Sequence, residues 1–207
     1  MTKNTIIKKT LQATILLVLM PFVFSSYGQI ERYVAGTHYL EIANPVNTRD
    51  SSKVEVIEAF WYGCSHCFRF EPLITNWEEN KPDDVDFVRF PALWNNLMKI
   101  HAQVYYAAEV LDAVDVLHEP IFNAINVERN MLQNEGQISE LFLEHGVSQE
   151  DFDRTFNSFS VRTKVNQAEA RMQDYGIRST PNMIAVSYTH LRAHETDSYL
   201  VCRLLLE

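Results

Sequence analysis

A chain of 207 residues, 46% hydrophobic and 12% aromatic, holds enough apolar material for one domain with a real core and not for two. Its 27 acidic and 18 basic residues give a formal net charge of −9, which disfavours a nucleic-acid partner. Three cysteines occur, two of them as Cys64-Ser65-His66-Cys67.

The N-terminus reads as a signal peptide over residues 1–28. Lys3, Lys8 and Lys9 precede an apolar run from Ile15 to Phe24, and the small residues Ser26 and Gly28 stand before Gln29, where a signal peptidase would cut. The run is shorter than the ~20 residues a membrane-spanning helix needs. A soluble mature protein in the periplasm, an oxidising space where disulfides persist, is the expectation. With residues 1–28 and 186–207 set aside, 13 basic and 24 acidic residues remain, so the body from 29 to 185 is more acidic still.

Tyr39 to Ile42 fits a short edge strand, and Pro45 to Ser52 a polar turn. Val54 to Phe60 has strand-like alternation, Ser65 to about Asn80 reads as a helix kinked by Pro72, and Val85 to Phe90 is a second strand. Strand, helix, strand at this spacing is a βαβ unit with parallel strands and a right-handed crossover.

The Cys-x-x-Cys pair stands where strand turns into helix. If the turn falls at Gly63, Cys64 lies at the helix N-terminus, where free backbone N–H groups and the positive end of the helix dipole stabilise a thiolate. A thiolate is both the nucleophile and the better leaving group in disulfide exchange. Cys67, one turn on, is placed to close a small ring with Cys64 or to resolve a mixed disulfide on it. An imidazole at His66 can donate to the exposed sulfur, which stabilises the reduced form and makes the couple oxidising. Two other uses of these residues are weaker. A zinc site needs two further ligands, and no second such pair precedes residue 186. A structural staple across a two-residue loop gains little. No metal and no other cofactor is expected.

A long helical stretch follows. Met98 to Leu111 is apolar at Ile100, Val104, Ala107, Ala108 and Leu111, and Ile121, Phe122 and Ile125 mark a second helix. Ile138, Leu141 and Phe142 mark a third, stopped by Gly146, and Ser148 to Asp151 caps a fourth. Val161 to Tyr175 is a fifth, ending at Gly176. A helical subdomain is thus inserted after the βαβ unit, over about residues 95–160. The strand in Ile177 to Ala185 begins with Pro181, which cannot donate to a ladder and so belongs at an edge or a strand start. Beside a Cys-x-x-Cys helix, Thr180-Pro181 reads as a cis-proline loop offering the Thr180 backbone to an extended substrate. The alternative is a trans proline at a turn, since few X-Pro bonds are cis in general.

Two blocks of the last segment, Val186 to Thr196 and Leu200 to Glu207, resemble the conceptual translation of a sequencing-library adapter, with Asp197, Ser198 and Tyr199 where a variable index would lie. Residues 186–207 are therefore expected to be non-native, and Cys202, His190 and His194 receive no functional weight.

The strand into Gly63-Cys64-Ser65-His66-Cys67, the Val85 to Phe90 strand, the helical insertion and Thr180-Pro181 together resemble the exported DsbA-type thiol:disulfide oxidases, over nearly all of residues 29–185. The resemblance implies an α/β thioredoxin-like fold with an inserted α-helical subdomain. It implies that substrate thiolates attack Cys64, that Cys67 resolves, that His66 stabilises the Cys64 thiolate, and that Thr180 and Pro181 line the substrate groove. Glu58, six residues before Cys64, matches a buried acid that assists proton transfer; the alternative is a strand residue reaching solvent. Trp61 and Tyr62 match the peptide-facing surface, with simple packing as the alternative. A further antiparallel strand and a C-terminal helix should follow the proline strand, where the adapter-like residues stand. Their native sequence is expected to be missing, which would leave a sheet edge and a sheet face uncovered.

The expected function is an oxidase that donates its disulfide to unfolded or newly exported proteins with free thiols. A membrane quinone-linked protein would reoxidise it, and it would act as a monomer. The competing readings are an exported reductase or isomerase, and a non-enzymatic, chaperone-like peptide-binding module whose disulfide only staples the loop.

Overall fold

Alternation in Val54–Phe60 holds only for its first half, because Ile57, Glu58, Ala59 and Phe60 are all at most 1% exposed. A strand covered on both faces loses its polar face, and this one is central. In the computed structural model, which describes residues 36–37, 39–42, 48–186 and 200–202, the strands are β1 (Leu40–Glu41), β2 (Val54–Phe60), β3 (Val85–Pro91), β4 (Asn182–Val186) and β5 (Leu200–Cys202). They form one sheet in the order β1-β5-β4-β2-β3. The expected signal peptide and most of residues 186–207 lie outside the described residues.

The βαβ unit forms as its spacing predicts. Strand β3 runs parallel to β2, with Val54 opposite Val85 and Glu58 opposite Arg89. Between them α1 (Ser65–Glu79) contains Pro72 and ends at its C-cap, Asn80. Its Phe70 and Ile74 pack with Val56, Phe87 and Met183 on one face of the sheet.

The other face carries Ile57, Ala59, Phe90 and Ile184 and is covered by the helical layer. That layer comprises α2 (Asn96–Val110), α3 (Val114–Asn126), α4 (Glu135–Glu144), α5 (Gln149–Phe156) and α6 (Phe159–Asp174). Side-chain caps set several starts. The Asn95 side chain accepts from the Met98 N–H at 3.0 Å, so α2 opens two residues before the expected Met98. Ser158 accepts from the Val161 N–H at 3.2 Å and opens α6 two residues before the expected Val161. Ser148 caps α5 as its sequence predicts. Gly146, at φ +91°, takes the left-handed conformation that ends α4.

Strand β4 runs antiparallel to β2, with Met183 opposite Glu58. The expectation of a bare β4 edge is corrected. Leu200–Cys202 pairs antiparallel with β4, Val201 facing Ile184, and β1 pairs with β5 in turn. The backbone groups of an edge strand pair with any extended segment of suitable register. Among the described residues a groove runs between α1 and β4. Val56, Phe70, Leu73, Ile74, Trp77 and Met183 line an apolar groove of about 320 Å³, and Leu73 is 59% exposed. Among the described residues no helix is long and apolar enough to cross a membrane.

Candidate active site

Strand β2 is followed by Trp61-Tyr62-Gly63, and the Cys64 N–H donates to the Trp61 carbonyl at 2.9 Å to close the turn into α1. Gly63 is required there, since a Cβ at that position would stand 2.4 Å from Trp61 Cζ2. Cys64 is the N-cap of α1, in extended conformation, and its Sγ accepts the Cys67 N–H at 3.4 Å. In the thiol form Cys64 donates to the carbonyl oxygen of Thr180 at 3.5 Å. The Thr180-Pro181 bond is cis. Strand β4 thus enters the sheet beside the cysteine pair.

Both cysteines are free thiols, Cys64 half-buried and Cys67 fully buried. The hydrogen bond from the Cys67 side chain, helped by the backbone N–H of Cys67, lowers Cys64 to about 5 against the opposing effect of burial. The same hydrogen bond, with burial next, pushes Cys67 far up. At neutral pH the pair is one thiolate and one thiol. That division suits exchange, with Cys64 as the stable leaving group and Cys67 as the sulfur that must hold a proton.

The structure places His66 differently from the expectation of an imidazole on the Cys64 sulfur. The His66 backbone N–H bears on Cys64, whereas its exposed ring accepts at Nδ1 from the Arg69 guanidinium at 3.1 Å. The free backbone N–H groups of the first helical turn point at the N-cap, so here the backbone of His66 makes the contact. Tyr62 also departs from the peptide-facing surface expected of it. It is 1% exposed, packs against Phe60 and Phe122 with ring centroids at 5.0 and 4.8 Å, and puts its hydroxyl 2.8 Å from His118 Nδ1. Trp61 is half-buried over Gly63, and its Nε1 donates to His101 Nδ1 at 2.9 Å. His101 in turn lies 2.9 Å from the Met131 carbonyl through Nε2, and burial lowers its pKa.

Glu58 does not reach solvent. It is 0% exposed, it accepts from Arg89 Nε at 3.2 Å, and its Oε1 has no hydrogen-bond partner. Burial first, then the charge of Glu71, push it up to about 8, with Arg89 opposing. Its charge is felt at Cys67. Arg89 binds two more carboxylates from α1, Glu71 at 3.2 Å and Glu78 at 2.6 Å. Arg89, Glu71, Glu78 and His118 were not singled out from the sequence. The parallel register sets Arg89 directly opposite Glu58, and Glu71 and Glu78 are two helical turns apart on one face of α1, so strand and helix periodicity together carry that signal.

The DSBA-like thioredoxin domain family matches residues 84–188. The thiol:disulfide interchange protein DsbA of Pseudomonas aeruginosa is 34% identical over 168 residues, covering 81% of this chain and 80% of its own. Its crystal structure superposes with a TM-score of 0.71 at 34% identity, over 81% of this chain and 82% of that one. The DsbA oxidoreductase of Xylella fastidiosa gives a TM-score of 0.69 at 26% identity, over 82% and 87%. The chain belongs to the DsbA-like thioredoxin-domain family and is a thiol:disulfide oxidoreductase.

Proposed function

We propose that this oxidoreductase runs in the oxidising direction, donating the Cys64–Cys67 disulfide to thiols of newly exported proteins. A substrate thiolate attacks Cys64 Sγ, the Cys64–Cys67 bond breaks, and its electron pair goes to the Cys67 sulfur. Buried Cys67 cannot keep that charge, and it takes the proton that Glu58 holds. A second substrate thiolate then attacks the substrate sulfur of the mixed disulfide and expels Cys64 as a thiolate. The substrate loses two electrons and the cysteine pair gains them. Thr180, whose carbonyl already faces Cys64, and Pro181 line the path of an extended substrate backbone, and Trp61, on the turn before Cys64, belongs to the same surface.

The observation that carries this reading is the asymmetry of the pair, a half-buried Cys64 at about 5 over a buried Cys67 held as a thiol. Stabilising the reduced form in this way makes a couple oxidising. Residues 1–28 supply export to the periplasm, residues 186–207 are foreign to the native gene, and a quinone-linked membrane protein reoxidises the monomer; these belong to the same proposal.

The test is stoichiometric transfer. Oxidised protein mixed with a reduced, unfolded client should lose its disulfide as the client gains one, and Cys64→Ser should transfer nothing. A client left reduced by the oxidised protein, or oxidised equally by the Cys64→Ser variant, would contradict the proposal.

A further inference from the structure

The exchange steps leave one buried chain of side chains unused. Tyr62 Oη lies 2.8 Å from His118 Nδ1, and His118 Nε2 lies 3.3 Å from Glu71 Oε1. Tyr62 is 1% and His118 8% exposed. Burial holds the Tyr62 phenol well above its usual range, so it keeps a proton to donate to Nδ1. With the phenol donating to Nδ1, Nε2 is the ring nitrogen that faces Glu71.

Glu71 and Glu58 share one guanidinium, each 3.2 Å from Arg89. Two carboxylates in one buried site do not ionise equally, and the environment decides which keeps the proton. Here the environments differ. Glu71 Oε1 lies 3.3 Å from His118 Nε2 and accepts from the Thr75 hydroxyl at 3.3 Å, whereas among the described residues Glu58 meets Arg89 alone; each carboxyl keeps one oxygen without a hydrogen bond, Glu71 Oε2 and Glu58 Oε1.

We propose that His118, held by Tyr62, is a positioning residue for the exchange reaction: it fixes the negative charge of the carboxylate pair on Glu71 and so leaves the proton on Glu58. This rests on Glu58 being the proton donor to Cys67.

The directions of the two shifts agree with it. Burial, the largest effect at Glu71, pushes that carboxyl up, but the His118 hydrogen bond and charge and Arg89 together bring it below its usual value. Glu58 moves the other way. The further charges around His118 lie along the groove between α1 and α3: Arg69, Glu78 and Glu79 from α1, Arg89 from β3, and Asp115 and Glu119 from its own helix. From α2 the Tyr105 ring stands 6.1 Å away. Of the two ring nitrogens, Nδ1 is bonded to Tyr62, and Nε2 lies within ion-pair distance of Glu71.

The test is the pH profile for reduction of the oxidised protein by dithiothreitol, expressed per reagent thiolate and followed by tryptophan fluorescence. In the wild type this rate falls as Glu58 ionises. In His118→Phe the fall should move toward acid by about one pH unit, the size expected when a neighbouring carboxylate loses its fixed charge. His118→Gln, whose amide can still donate toward Glu71, should restore most of the wild-type profile. Glu71→Gln should produce the same acid shift, and His118→Phe should add nothing to it. A His118→Phe profile that overlays the wild type, or a shift of equal size in the Glu71→Gln background, would overturn the inference. Glu58→Gln separates the two levels. A profile that still bends like the wild type in that variant removes the proton-donor reading itself. A flat one, with His118→Phe unshifted, removes only the role of His118.

Discussion

Cys64 Sγ and the Thr180 carbonyl oxygen are 3.5 Å apart across 116 residues of sequence. The contact joins the N-cap of α1 to the start of β4, and it exists because β2 and β4 are neighbours in the sheet. A sulfur at that spot has the Thr180 carbonyl beside it and the Cys67 N–H of the helix start beneath it.

The first prediction concerns the Cys64 thiolate. Ultraviolet thiolate absorbance of the reduced protein should titrate with a midpoint of about 5. A free cysteine titrates at roughly 8.5, so the folded value is depressed. The stability this confers on the reduced form is fully present above the unfolded value and is lost as pH falls through the folded one. The stability advantage of reduced wild type over Cys64→Ser should therefore shrink between roughly pH 8.5 and pH 5. A flat difference in denaturant midpoints across that window would count against it.

Glu58 has the opposite sign. Its folded value of about 8 lies above the ~4.3 of an unfolded glutamate. Its contribution is present below the unfolded value and is lost as pH rises through the folded one. Glu58→Gln should remove that decline, so its unfolding free energy should gain on the wild type as pH rises from mildly acid to mildly alkaline. Urea unfolding at a series of pH values reads this directly.

Much of this site is legible in the sequence and part of it is not, for physical reasons. Gly63, Cys64 and Cys67 are readable because local chemistry fixes them: a tight turn, a helix N-terminus and one helical turn. The cis Thr180-Pro181 loop follows once a Cys-x-x-Cys helix is granted. The burial of Glu58 and Tyr62 is not readable from alternation, because β2 is covered on both faces and period-two logic fails there. The direction of the His66 ring is not legible, because the sulfur contact runs through backbone, to which any residue contributes equally. His118, 54 residues after Cys64, reaches the site only through the packing of α3 on α1.

Arg89 is the third prediction. Its side chain is 12% exposed and contacts Glu58, Glu71 and Glu78 together. Replacing it leaves buried carboxylates without their cation, so Arg89→Ala should cost about 3–5 kcal/mol in denaturant unfolding. A Glu58→Gln change in the same chain should recover part of that loss. Additive effects of the two substitutions would mean that the cluster is not coupled.

Gly63 is the fourth. An added methyl would meet the Trp61 ring at 2.4 Å, and Trp61 is tied to His101 at 2.9 Å. Gly63→Ala should displace the indole, alter tryptophan emission and cost about 1–3 kcal/mol, as overpacking does. Unchanged emission and stability would show that the turn has room.

The most direct test of the central claim is the equilibrium of the cysteine pair with a glutathione buffer, followed by tryptophan fluorescence. An oxidising donor with a stabilised Cys64 thiolate should show a midpoint near about −120 mV, the range of strong disulfide donors. A midpoint near about −270 mV, the range of thiol reductants, would contradict the assignment.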